Sequence, residues 1–72
     1  MTDDLRDRLW RVRRRTHRID AIVRQLSDGW ELTFVRNDKP MLSSIFGTRS
    51  KAVSDADRRL RELQRAGWTV HW

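Results

Sequence analysis

Ile19-Asp20-Ala21-Ile22-Val23-Arg24-Gln25-Leu26, followed by Ser27-Asp28-Gly29-Trp30, admits two readings, and the choice between them sets the topology. Continued upstream, Leu5, Leu9, Val12, Thr16, Ile19, Val23 and Leu26 recur at alternating spacings of four and three. That is the stripe of one long helix, from about Asp3 to Leu26, stopped at Gly29. Broken near His17 instead, the same residues make Ile19 to Leu26 a strand, joined through Ser27-Asp28-Gly29 to a second strand at Trp30. In that pairing Leu26 faces Trp30 and Ile22 faces Phe34, while Ala21 and Val23 share the other side with Thr33 and Val35. Both sides would then be apolar, which calls for a helix on each.

Downstream the pattern is simpler. Trp30-Glu31-Leu32-Thr33-Phe34 alternates apolar and polar, Asn37-Asp38-Lys39-Pro40 reads as a turn, and Met41 to Phe46 reads as the returning strand. Pro40 lacks an N–H and suits the loop or the strand entrance. Val53, Ala56, Leu60 and Leu63 mark one face of a helix over about 50–66. Ser50 or Ser54 would cap it, Asp55 and Asp57 would favour its positive end, and Gly67 would stop it. Trp68-Thr69-Val70-His71-Trp72 alternates again, as a half-buried final strand does.

At 72 residues the chain is one small domain, 1–72, able to bury about 60% of the surface it exposes when unfolded. With 38% hydrophobic and 36% charged residues a monomer is marginal, so self-association is a live alternative. The net charge is +6, and fourteen of the sixteen cations are arginine. Arg6 to Arg18 hold seven arginines and one acid, Asp7, so this window alone carries +6 and the remainder sums to zero. Read as a basic N-terminal helix over 1–17, the segment sets Arg8, Arg11, Arg14, Arg15 and Arg18 opposite Leu5, Leu9, Val12 and Thr16. Asp3, Asp4 and Asp7 then lie at its start. Guanidiniums crowded on one stripe repel each other, and a row of phosphates would relieve that repulsion. A solvated face explains the same charge, and so does an anionic membrane surface, for which the apolar side is thin.

The absence of cysteine excludes disulfides and thiolate metal sites and fits a reducing compartment. No apolar run approaches the ~18 residues of a membrane span, and Met1-Thr2-Asp3-Asp4 lacks the layout of a signal peptide. A cytoplasmic location is the expectation.

Two resemblances bear on the fold. Gly29-Trp30-Glu31-Leu32, Phe34, Asn37, Phe46-Gly47-Thr48-Arg49, Ala52, Asp55-Ala56, Leu60-Arg61-Glu62-Leu63, Gly67-Trp68 and His71-Trp72 resemble a group of small bacterial proteins without an established activity. The likeness spans roughly Trp10 to Trp72. It implies a strand meander, a helix and a final strand, and it favours the strand reading of Ile19 to Leu26. Trp30-Glu31-Leu32 and Phe46-Gly47-Thr48-Arg49-Ser50-Lys51-Ala52 are also similar to the arm-type, AP2-like DNA-binding domain of tyrosine recombinases. That domain sets a three-stranded antiparallel sheet against one helix and inserts the sheet into the DNA major groove. The central strand departs from its pattern, offering Glu31, Thr33 and Val35 in place of basic side chains.

The fold expected is therefore α+β: a basic N-terminal helix, a three-stranded antiparallel meander, a C-terminal helix and a final strand. The alternative is a long N-terminal helix, one hairpin, a helix and a strand. Arg8, Arg11, Arg14, Arg15, Arg18 and Trp10 are the candidate nucleic-acid or polyanion contacts, with Trp10 able to stack on a base or to pack against the sheet. His17 and His71 lack further ligands at useful spacing, the serines form no nucleophile elbow and the glycines are isolated. No catalytic residue, metal or cofactor is expected. The function expected is a non-catalytic basic module contacting nucleic-acid phosphates. The rival is a protein-interaction or assembly module, homodimeric in one version, using Trp10, Val35 and Trp72.

Overall fold

In the computed structural model, which describes residues 6–71, the basic segment is not a helix. Arg6–Arg14 is strand β1 and His17–Leu26 is strand β2, paired antiparallel through a turn at Arg15 and Thr16, where Arg15 takes a left-handed φ of 57°. The N-terminal helix expected over 1–17 and the longer one to Leu26 are both overturned. A helix would bury Leu9, Val12, Ile19 and Val23 but leave Trp10 and Ala21 off the stripe. The strands bury both of them together with Val12, Ile19 and Val23. Leu5, Asp3, Asp4 and Trp72 lie outside the described residues.

Gly29–Arg36 is β3 and Lys39–Phe46 is β4, completing a four-strand antiparallel meander. Helix α1 (Arg49–Arg65) follows, and a two-residue strand β5 (Thr69–Val70) returns beside β1, giving the order β4-β3-β2-β1-β5. The β2–β3 connection is the two-residue turn Ser27-Asp28, with Leu26 paired to Gly29. The expected register is therefore off by one. Ala21 pairs with Phe34 and Val23 with Leu32 on the buried side, while Ile22 pairs with Thr33 on the other. Because successive side chains alternate, that one-residue difference exchanges the two faces. Among the described residues only one face is covered, by α1, where the expected register called for a helix on each. At Gly29 a Cβ would stand 2.8 Å from the Phe46 carbonyl oxygen, so the residue is small because β4 passes close by. Asn37 and Asp38 both have positive φ, the two-residue turn that matches strand twist.

The helix begins at Thr48, whose hydroxyl accepts the Lys51 amide at 3.2 Å, and not at Ser50 or Ser54. Its first turn contains no acid. Asp55 and Asp57 sit further along and pair with Arg58, Arg59 and Arg61. At the other end Gly67, with φ of 100°, lets the Trp68 amide reach the Leu63 carbonyl and its own amide reach that of Gln64. A Cβ at Gly67 would meet only the Arg14 side chain, at an ordinary contact distance of 3.6 Å from Nε, so backbone strain is what resists substitution. Gly67→Ala is expected to cost about 1 kcal/mol, read as a lower urea midpoint at unchanged slope.

Between α1 and the sheet lies one core. Trp10, Val12, Ala21, Val23, Leu32 and Phe34 meet Ala52 and Ala56 of α1, whose small side chains let the helix approach the strands closely. Among the described residues, nothing forms a covering layer on the opposite face of the sheet.

Candidate nucleic-acid interface

The uncovered face is assembled by a bulge. In β1 the register shifts between Arg8 and Trp10, so that Arg6 and Arg8 pair with Arg24 and Ile22, while Arg11 and Arg13 pair with Asp20 and Arg18. All four partners are alternate residues of β2 and share one side of the sheet. Without the extra residue, Leu9, the pairs Arg6/Arg8 and Arg11/Arg13 would point to opposite faces. With it, Arg6, Arg8, Arg11, Arg13, Arg18 and Arg24 all belong to the uncovered face. Glu31, Thr33 and Val35 of β3 and Ser43 of β4 continue that face. Part of it is a shallow depression of about 260 Å³ lined by Arg6, Ile22, Arg24, Thr33 and Ser43, among others.

Arg11, Arg18 and Arg24 of this face each meet an acid. Arg11 holds Asp20 with a two-pronged grip, Nε to Oδ1 at 2.7 Å and Nη2 to Oδ2 at 3.2 Å. Asp20 is 6% exposed, and its hydrogen bond pushes the Arg11 guanidinium still further above its ordinary pKa. Arg11 is thus part of the scaffold as well as of the surface. Arg24 meets Glu31 at 3.0 Å, and Arg18 meets Asp38 of the β3–β4 turn. Arg6 and Arg13 are exposed and point from the same face. Among the described residues, Asp20, Glu31 and Asp38 stand against the six guanidiniums of this face, an excess of +3. Thr33 and Ser43 share a hydroxyl hydrogen bond at 2.8 Å. The strand aromatics Trp10, Trp30, Phe34 and Phe46 all lie on the helix side. Among the described residues, the uncovered face therefore offers charge and hydroxyl groups but no ring to stack on.

The predicted contact residues divide accordingly. Arg8, Arg11 and Arg18 lie on the uncovered face, whereas Arg14 and Arg15 sit at the end of the β1–β2 hairpin, so the five do not form one stripe. Trp10 is 4% exposed, donates its indole N–H to the Ala56 carbonyl at 3.1 Å and packs a tilted ring on Phe34 at 5.9 Å. It is neither a contact for a ligand nor an apolar leftover for a dimer. Arg6, Arg13 and Arg24 join the face, although the helical reading did not select them. Their signal is alternation across the bulge, visible only once β1 is read as a strand.

His17 shares a hydrogen bond with Asn37 through Nδ1 at 3.2 Å, and the His71 amide donates to the Arg11 carbonyl. Among the described residues no cluster of three or more His, Asp or Glu side chains could hold a metal ion, and no helix is long and apolar enough to cross a membrane. No family model matches the chain, and no curated protein or solved structure matches it either.

Proposed function

We propose that the chain is a non-catalytic, cytoplasmic binding module that contacts nucleic-acid phosphates through the uncovered face of its sheet. The observation that carries this reading is the β1 bulge, which brings six arginines from two strands onto one face of the sheet, with an excess of +3 and no covering layer among the described residues. Guanidinium forks suit phosphate oxygens, and a surface of like charges gains by exchanging its own repulsion for a polyanion. The lack of an exposed ring on this face among the described residues favours backbone contact over base stacking. Resemblance to the arm-type domains points the same way, since those also lead with a sheet. Here the basic side chains come from β1 and β2, beside the strand that carries Glu31, Thr33 and Val35.

Salt dependence tests it. Four phosphate contacts give log affinity for duplex DNA a slope of about −3.6 against log salt. Replacing the exposed Arg6 and Arg13 together by alanine should make that slope shallower by about 1.8 while leaving the circular dichroism unchanged. Arg61→Ala, on the helix, should leave it where it was. Failure to bind a polyanion column at low salt, or equal effects from the two variants, contradicts the proposal.

A further inference from the structure

Pro40 to Thr48 is a run of nine uncharged residues, the longest in a chain that is 36% charged. It coincides with β4, one edge of the sheet. Among the described residues, three of the four large hydrophobics left exposed are here: Met41 at 51%, Leu42 at 44% and Ile45 at 60%. An edge strand with unpaired backbone groups and no charge from Met41 onward is a template for another strand. An acidic or polyanionic partner would find no cation to meet from Met41 to Phe46. A second copy of this chain, itself carrying +6, can approach closely only where charge is absent.

We propose that two copies join through β4, antiparallel, with Ser44 on the two-fold axis. That register sets Leu42 of each copy against Phe46 of the other on the helix side, and Ser43 against Ile45 on the uncovered side. Each pairing thus joins residues of one face. The ladder spans 42–46, leaving Pro40 and the bulge beside Met41 outside it. Other registers that keep the faces matched fit less well. With Ser43 on the axis, Pro40 enters the ladder opposite Phe46. A two-fold axis perpendicular to the sheet leaves both helices on one side and both arginine faces on the other, so a single ten-stranded sheet would present a continuous basic surface. Association also adds buried area to a core of marginal size. The proposal does not depend on nucleic acid, and its test contains none.

Light scattering across protein concentration should show the mass rising twofold. Ile45→Lys, at an exposed site, should hold it at the monomer value with the circular dichroism retained. Because the chain has no cysteine, Ser44→Cys supplies a single thiol that would meet its own symmetry mate at a Cα separation of about 4.5–5.5 Å, within disulfide reach. Mild oxidation should convert most of that variant to covalent dimer, while Ser27→Cys, in the β2–β3 turn, stays monomeric. A constant monomer mass up to millimolar protein, a dimer that survives Ile45→Lys, or equal cross-linking of the two cysteine variants would overturn the proposal.

Discussion

Trp10→Ala is expected to leave most of the chain unfolded at room temperature. Trp10 stands where β1 meets both α1 and Phe34, 4% exposed, and its hydrogen bond to the Ala56 carbonyl ties residues 46 positions apart. Truncating a buried tryptophan costs about 3–5 kcal/mol in lost transfer energy and cavity. A domain of this size holds only about 3–5 kcal/mol in total, so the loss matches the whole reserve. Trp10→Phe keeps the ring against Phe34 and gives up the indole donor. The Ala56 carbonyl lies inside α1 and still has its helical partner, so this change should cost about 1–2 kcal/mol. Far-UV circular dichroism and urea unfolding separate the two variants. A Trp10→Ala protein that melts at the original temperature would show that the core does not depend on this residue. Since the indole is enclosed, folded Trp10→Phe should bind polyanions as the parent does, the opposite of what a base-stacking tryptophan requires.

The elements from Trp30 onward were readable because each carries its own punctuation. Alternation marks β3, Asn37-Asp38 marks its turn, a three-four-three spacing marks α1 and Gly67 marks its stop. The first third was not readable in this way, because a stripe of spacing four and three and a strand with one bulge make nearly the same use of Leu9, Val12, Ile19 and Val23. What separates them is tertiary: only neighbouring β2 and α1 explain why Trp10 and Ala21 should be apolar. The excess of positive charge was visible in sequence, but its placement was not. A bulge at one residue decides whether arginines two and three positions apart share a face, and no local signal announces it. The pairing of Arg11 with Asp20 was hidden for the same reason, since the eight residues between them say nothing until the hairpin register is known. The cap at Thr48 shows a smaller version of this limit, because Thr48, Ser50 and Ser54 are all chemically suitable and only the backbone path selects one.

Asp20→Asn should weaken the fold and strengthen the binding of polyanions, two effects of opposite sign from one atom's change. On the stability side, the two-pronged ion pair becomes at best one hydrogen bond from the guanidinium to a neutral carbonyl, because the new amide nitrogen is a donor facing another donor. Breaking a fully buried pair costs about 3–5 kcal/mol, but Arg11 retains 26% of its side-chain exposure and can recover water. The expected loss is therefore about 2 kcal/mol. On the binding side, the substitution removes one of the carboxylates that offset the arginines of this face and releases the Arg11 fork toward solvent. If the uncovered face follows phosphates, affinity at low salt should rise and the salt slope should steepen by about 0.9, one additional contact. A face that is merely solvated has no reason to give that second result. Measuring the variant by urea unfolding and by DNA titration at several salt concentrations thus separates the two readings of the same arginines. Lower stability with an unchanged slope assigns Arg11 to the scaffold alone, whereas lower stability with a steeper slope places Asp20 as an internal competitor for the ligand.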